Sequence, residues 1–333
     1  MSDRYSRQMV LKNIGPDGQR KLSKSKVAII GCGALGSTAA SLLIRAGVGE
    51  VVLVDRDIVE LNNLQRQTLY DESDVGRPKA DVACHKLRRV NSEIKIDGVI
   101  CDLDPGNIGE VLAGAQLVVD ATDNVLVRML INDYCVKNAI PWIYAGVIGT
   151  TGMTMNILPG GPCLRCLLPN LPQTGSADTC DTVGVLNTLP ALVASIQVTE
   201  SLKILTKVEP SKDLVVIEAW GQRFDRVRLK KAEACPCCVK GVYEFLDAKI
   251  KDEHVVLCGR NAVQVTPAKK VEMDLAQMVT RLGKLGEARS NDLVLVFCAD
   301  GKEMTLFKDG RAIVKGTSEP GVAKAFYAKY VGQ

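Results

Sequence analysis

Short apolar runs alternate with longer amphipathic stretches through the first half of the chain. Val27-Ala28-Ile29-Ile30 reads as a buried strand, and the small-residue stretch from Ser37 to Ala46 as the helix after it. Glu50 to Val54 is a second short strand, ending at Asp55. Pro78 starts a helix at its first turn that runs to about Val90, with Val82, Ala83, Leu87 and Val90 on its apolar side. Ile94 to Cys101 reads as a strand and Ile108 to Leu112 as a short helix. Leu117-Val118-Val119 is a buried strand running into Asp120-Ala121-Thr122-Asp123-Asn124, followed by a helix to about Lys137 and a strand near Trp142 to Ala145. Strands alternating with helices predict an α/β fold: a Rossmann-like, doubly wound, mostly parallel sheet covered on both faces. Ligands of such sheets sit beyond the carboxyl ends of the strands, where Asp55 and Asp123 fall.

The pattern changes after Thr150. Met153 to Leu158 reads as a strand, and residues 159 to 185, rich in Gly, Pro, Thr and Cys, as a long loop. Thr188 can cap a helix with Pro190 in its first turn, continuing to about Leu205 with apolar residues on more than one face. Leu214 to Ala219 and Gln222 to Leu229 read as a hairpin. A boundary is placed near residue 240, so residues 1–240 form the large domain. Residues 241–333 read as a small α+β domain, with strands at Val255 to Cys258, Ala262 to Val265 and Leu293 to Cys298 and a helix from Asp274 to Leu285. A hairpin turning on Asp309-Gly310 and a final helix capped by Ser318 complete it.

Composition narrows the classes. The 333 residues are 47% hydrophobic, so a substantial core can be buried, and no run reaches the length of a membrane span. The N-terminus lacks a signal-like apolar segment, and the expected location is the cytoplasm. A net charge of +4, with both signs interspersed, argues for neither nucleic acid nor a membrane surface. Twelve cysteines in such a chain point to metal, catalysis or core packing rather than disulfides.

The chemistry is concentrated in a few places. Gly31-Cys32-Gly33-Ala34-Leu35-Gly36 lies between a predicted strand and a predicted helix, the context that makes G-x-G-x-x-G a nucleotide loop. Gly31, Gly33, Ala34 and Gly36 would bring backbone amides to a phosphate, and Asp55, about 20 residues on, would bind ribose hydroxyls. Arg66 and Lys79 are cations in neighbouring segments, either solvated or set against phosphates. Asp123 could hold Mg²⁺ or could cap the helix after it. Cys163-Leu164-Arg165-Cys166 and Cys235-Pro236-Cys237-Cys238 pair four thiols suited to a closed tetrahedral Zn²⁺ site, with Cys237 a bystander. Cys180, in the long loop, is a candidate nucleophile. Neither His85 nor His254 has a partner in sequence.

Taken together, residues 4 to 240 resemble the ThiF/MoeB/HesA family, relatives of ubiquitin-activating enzymes. The resemblance rests on Arg4-Tyr5-Ser6-Arg7-Gln8, the glycine loop, Asn63-Leu64-Gln65-Arg66-Gln67, Val75-Gly76-Arg77-Pro78-Lys79, Asp120 to Asn124, and the two C-x-x-C pairs. It implies an adenylyltransferase using ATP and Mg²⁺ on a ubiquitin-like sulfur-carrier or tagging protein that ends in Gly-Gly. By the same resemblance Asp55 binds the ribose. Asp57, Asn62, Asn63, Arg66 and Lys79 lie in the segments that contact phosphates or position ATP. Asp123 would hold magnesium or orient the reacting groups, and Asn124 would line the site. Arg7 resembles an arginine that reaches into the neighbouring subunit, implying a homodimer. Cys180 aligns with a loop cysteine that bonds the carrier or passes sulfur in some members. A cysteine desulfurase or a rhodanese is the implied sulfur donor.

This chain has Gly33-Ala34 where the family commonly has Gly-Gly. Its residues 241–333, a candidate partner-recruitment module, extend beyond the minimal bacterial enzyme. Two other readings are set beside it. A nicotinamide-dependent dehydrogenase is the default for a bare glycine loop with Asp55, but no His or Tyr is placed as a proton donor. A non-catalytic subunit that only binds a ubiquitin-like protein would not need Arg66, Lys79 and Asp123 together.

Overall fold

The computed structural model describes residues 3–170, 183–248, 255–257, 261–267 and 271–332. They fall into two compact units, the second beginning its continuous run at residue 250.

The first unit opens with two helices, α1 (Ser6–Met9) and α2 (Gly15–Leu22). The alternation then follows: β1 (Lys26–Ile30), α3 (Ala34–Ala46), β2 (Glu50–Val54), α4 (Lys79–Val90), β3 (Lys95–Val99), α5 (Ile108–Val111), β4 (Leu117–Asp120), α6 (Val125–Lys137) and β5 (Trp142–Ile148). The chain continues through β6 (Thr151–Ile157), α7 (Leu164–Leu167), α8 (Thr188–Thr206), β7 (Asp213–Glu218) and β8 (Arg223–Arg228). The strands form one eight-stranded sheet in the order β3-β2-β1-β4-β5-β6-β7-β8. The junctions from β3 to β5 are parallel, and those from β5 to β8 antiparallel.

Both faces of the parallel half are buried, which is why its strands read as continuous apolar runs. Successive residues serve opposite layers. Val27 and Ile29 pack with Leu35, Leu43 and Leu87 of α3 and α4 and with Val193 of α8. Ala28 and Ile30 pack with Ile108, Met129 and Leu130 of α5 and α6 on the other side. The pleat imposes that division. Helix α8 is apolar on several sides because α2, α3 and strands β4, β5 and β6 all touch it. It begins at Thr188 itself, with Asn187 rather than Thr188 as the residue before its first turn.

The segment after β8 stays with this unit beyond residue 240. Tyr243, Phe245 and Leu246 pack against the α6 layer, and the Phe245 amide donates to Asp133 Oδ2 at 2.8 Å. The boundary expected near 240 therefore moves to about residue 249.

The second unit holds a six-stranded antiparallel sheet, β9 (Val255–Leu257), β10 (Ala262–Val265), β11 (Glu287–Ser290), β12 (Val294–Ala299), β13 (Lys302–Phe307) and β14 (Ala312–Lys315). Its order is β11-β12-β13-β14-β10-β9. Helices α9 (Leu275–Leu282) and α10 (Pro320–Tyr330) supply Leu282, Phe326 and Tyr330 to a core with Phe297 and Leu306. Strand β11 was not expected: Glu287-Ala288-Arg289-Ser290 is mostly exposed at the sheet edge and carries no apolar alternation. Ser318 does not cap α10. Glu319 precedes the helix, and the Ser318 hydroxyl donates to Asn261 instead.

Candidate functional site

The glycine loop joins β1 to α3 at the carboxyl end of the sheet. Gly31 has φ +94°, a left-handed conformation, and a Cβ there would lie 2.6 Å from the Ala121 carbonyl oxygen. A Cβ on Gly36 would lie 1.8 Å from the Gly31 carbonyl oxygen, so α3 seats directly on the end of β1. Gly33 differs: the nearest group to a Cβ there is the Gln67 amide, at 3.7 Å. Protein packing therefore does not require glycine at 33, and the space it leaves is open to a ligand. No side chain caps the N-terminus of α3. Its first-turn amides carry the partial positive charge that anions bind.

Asp55 is tied into this loop. Its Oδ2 accepts the Cys32 amide at 2.6 Å and its Oδ1 the Asp57 amide at 2.7 Å. Burial raises its pKa, while Lys79 pulls it back down. Lys79 is brought in by a bridge between Ile58 and Pro78, which pairs the stretch after β2 with the start of α4. The Lys79 amide donates to the Asp57 carbonyl at 2.9 Å, and its ammonium lies 3.3 Å from Asp57 Oδ2. The Lys79 side chain is only 3% exposed, so the reading of it as a solvated surface charge fails.

The polar hook between β2 and α4, residues 57–74, is folded by its own polar groups. Asn63 is buried; its Oδ1 accepts the Glu60 amide at 3.3 Å and its Nδ2 donates to Asn62 Oδ1 at 2.9 Å. Arg66, half-buried, donates to the Asn62 carbonyl at 3.0 Å. Asp123 is exposed in the turn between β4 and α6. It does not cap α6. Asn124 does, its Oδ1 accepting the Leu126 amide at 2.9 Å and the Val127 amide at 3.3 Å. Asn124, expected to line the site, thus commits its side-chain oxygen to the cap.

Arg7 is exposed in α1. Its neighbour Gln8 donates to the Ala46 carbonyl at 2.9 Å, so α1 sits beside the far end of α3 from the glycine loop. Cys180 lies outside the described residues.

Several groups at this end of the sheet were not anticipated. Gln67 is buried beside Gly33, and its Oε1 has no hydrogen-bond partner among the described residues. Asp120, fully buried at the end of β4, pairs with Arg128 Nε at 3.3 Å. Arg128 also donates to the Thr122 carbonyl and lies 5.2 Å from the Tyr144 ring centre, which pins the turn that presents Asp123. Arg56 donates to both oxygens of Asp102, at 3.1 and 3.3 Å. An arginine on a helix or after a strand reads as surface charge in sequence, and only the fold brings these to their carboxylates.

On the α6 side of the sheet the sulfur atoms of Cys163, Cys166, Cys235 and Cys238 all lie within 4.8 Å of one another. The Cys163–Cys235 and Cys166–Cys238 separations are 3.6 and 3.5 Å. Four thiolates at 2.3 Å from a tetrahedral zinc would stand about 3.8 Å apart, so the donor set and its spacing fit that metal. Two consecutive residues of α6 brace the cluster. Buried Asn132 accepts the Leu164 amide at 2.8 Å and donates to Cys237 at 3.2 Å, while Asp133 holds the chain after the second pair. Cys237 is outside the four-sulfur cluster but not idle: its hydrogen bond to Cys163 pulls that thiol well below the ordinary range.

An uncapped helix N-terminus, a buried lysine and an exposed aspartate at the carboxyl end of one sheet define an α/β nucleotide-binding protein with a four-cysteine centre. The chain belongs to the ThiF family, whose model matches residues 5–237. It is 41% identical over 338 residues to the sulfur carrier protein ThiS adenylyltransferase of Bacillus subtilis, with 100% of both chains covered. That match runs through the small second unit, so the extension is shared. It is 40% identical over 247 residues to the SAMP-activating enzyme E1 of Haloferax volcanii, covering 74% of this chain and 92% of that one. Among solved structures it resembles E. coli MccB with ATP, with a TM-score of 0.63, 25% identity, and 72% of this chain and 75% of that one covered. No helix among the described residues is long and apolar enough to cross a membrane.

Proposed function

We propose that this chain uses ATP to adenylylate the C-terminal glycine of a ubiquitin-like sulfur-carrier protein. It is an adenylyltransferase. The observation that carries the substrate is the end-to-end match to a ThiS adenylyltransferase. The carrier's carboxylate oxygen attacks the α-phosphorus, the bond to the β-phosphate oxygen breaks, and an acyl-adenylate and pyrophosphate result. One anion must approach another, so fixed cations and positioning do most of the work.

The loop amides from Gly31 to Gly36, with Arg66 and Lys79, neutralise the phosphates. Asp55 binds the ribose, and Asp57, Asn62 and Asn63 position those groups. Asp123 makes no hydrogen bond or ion pair among the described residues and is exposed, which suits a carboxylate that holds Mg²⁺ beside the triphosphate. Bound there, magnesium would supply further neutralisation of the phosphate charge. The zinc held by Cys163, Cys166, Cys235 and Cys238 is structural, since four thiolates leave no open position.

Arg7 lies by the end of α3 away from the glycine loop, and that helix is about 20 Å long, which supports a role outside its own site. It acts in the site of a second copy, and the enzyme works as a cytoplasmic homodimer. Cys180 takes part in passing sulfur from a desulfurase or rhodanese, and the second unit recruits one of these partners.

The test is pyrophosphate exchange into ATP. Exchange is expected only when a carrier ending in Gly-Gly is present. Exchange that is indifferent to the carrier, or tighter binding of NADH than of ATP, would overturn the reading.

A further inference from the structure

Gln67 is a polar side chain of the hook that is only 4% exposed. Its backbone is fixed at both ends: the Gln67 amide donates to the Asn63 carbonyl at 2.9 Å, and the Gln67 carbonyl accepts the Tyr70 amide at 3.2 Å. The Tyr70 hydroxyl in turn donates to the Cys32 carbonyl at 2.8 Å, which sets this part of the hook against the glycine loop. The Gln67 side chain is thereby laid beside Gly33. Its two polar atoms are placed differently. Oε1 is buried with no hydrogen-bond partner among the described residues. Nε2 is the group nearest the space over Gly33, 3.7 Å from where a Cβ would stand.

Packing gives no reason for an amide here. Burying an unbonded carbonyl oxygen is costly, and an apolar side chain of the same length would avoid that cost. The space over Gly33 does give a reason. Gly33 is the second glycine of the loop, the position at which such loops bring the backbone against a phosphate. It precedes α3, a helix of 13 residues whose N-terminus no side chain caps. The Cys32 amide, just before it, is already spent on Asp55 at 2.6 Å. A primary amide nitrogen carries two N–H donors and no charge. Nε2 thus supplies a donor beside the one that the loop has committed elsewhere, and a donor facing an anion makes a stronger bond than one facing a neutral group.

We propose that Gln67 is a nucleotide-binding residue: its side-chain amide donates to an oxygen of the phosphate seated over Gly33 and the first turn of α3. This rests on the reading of the glycine loop as an ATP site, and it adds to that reading a contact from the hook to the phosphate chain.

The experiment compares Gln67→Met with the wild-type full chain, with no carrier present. Thermal melting should place Gln67→Met at or above the wild-type temperature, because the change removes an unpaired buried oxygen. Calorimetry should show magnesium-ATP bound about tenfold more weakly, the loss expected for one hydrogen bond to a charged group. Adenosine, which has no phosphate, should bind both proteins alike by ligand-observed NMR. If adenosine alone does not bind the wild-type chain, tripolyphosphate replaces it and should lose the same factor as ATP. Unchanged ATP affinity in Gln67→Met overturns the proposal. So does an equal loss for adenosine, or an undiminished affinity for tripolyphosphate, since either would mean that Gln67 only shapes the pocket. If Gln67→Met does not fold, Gln67→Glu replaces it. That variant turns a carboxylate toward the phosphate and should bind ATP more weakly still, and wild-type affinity in it overturns the role. If neither variant folds, the side chain serves the fold and the proposal fails. Failure of the wild-type chain to bind ATP would remove the nucleotide reading and this role with it. Binding without carrier-dependent exchange would overturn only the proposed substrate.

Discussion

Gly36 lies against the carbonyl of Gly31 so closely that a Cβ on Gly36 would come within 1.8 Å of its oxygen. Gly33, two residues past Gly31, has no protein atom nearer than 3.7 Å to the same construction. The two glycines therefore serve different ends. Gly36→Ala should destabilise the fold by about 1–3 kcal/mol through overpacking, measured by chemical denaturation. Gly33→Ala should leave the denaturation midpoint nearly unchanged and weaken ATP binding. Equal loss of stability in both variants would contradict this division.

Asp123 and Asn124 are adjacent, yet only Asn124 holds the helix. Its side chain accepts two amides of the first turn of α6, whereas Asp123 is exposed and caps nothing. Asn124→Ala should cost about 1 kcal/mol in stability. Asp123→Ala should leave the melting temperature in place and abolish carrier-dependent pyrophosphate exchange. Full exchange by Asp123→Ala would remove its role with magnesium.

The contrast shows what a single sequence can carry. The glycine loop, the strand ends and the thiol pairs were legible because backbone geometry and metal coordination demand particular residues at fixed spacing. Apolar runs placed the central strands β1, β2, β4 and β5 of the large sheet, since burial on both faces leaves little freedom of composition, whereas exposed β8 was legible only as the second arm of a hairpin. Edge strand β11 was invisible, because exposed Glu287 and Arg289 obey no such demand. Pairings across the fold were also hidden. Asp57 and Lys79 meet only because Ile58 bridges Pro78, and Asp120 meets Arg128 only because α6 turns back over β4. Asn132, in mid-helix, gave no sign that it would bond both C-x-x-C segments, through the Leu164 amide and the Cys237 sulfur.

The hook before α4 should leave a mark in acid. Lys86, and after it Ser73, hold the Asp71 carboxylate down at about 2. A carboxylate bound more tightly in its charged form when folded stabilises the fold above its unfolded value of 3.8. That contribution fades as pH falls through about 2. An NMR titration should find Asp71 among the lowest carboxylates, and Lys86→Ala should return it toward its ordinary value. An unshifted Asp71 in the wild-type chain would show that the pair does not persist in solution.

The cysteine cluster ties chain distant in sequence to the sheet. Cys163 and Cys166 follow β6, Cys235 and Cys238 follow β8, and Asn132 of α6 bonds Leu164 between the first pair and Cys237 between the second. Metal binding at such a site contributes directly to folding, because the unfolded chain has no preformed set of ligands. Purified, untagged protein should contain one zinc per chain. A strong chelator should lower the melting temperature, and Cys235→Ser should do the same without added chelator. The effect should be largest for residues 229–248, read by hydrogen exchange, since their attachment to the sheet depends on the second pair. ATP binding should be affected less, because the glycine loop is built by β1 and α3 and makes no use of the thiols. Protein free of zinc, with four freely titrating thiols and an unchanged melt, would show that packing alone holds the cluster.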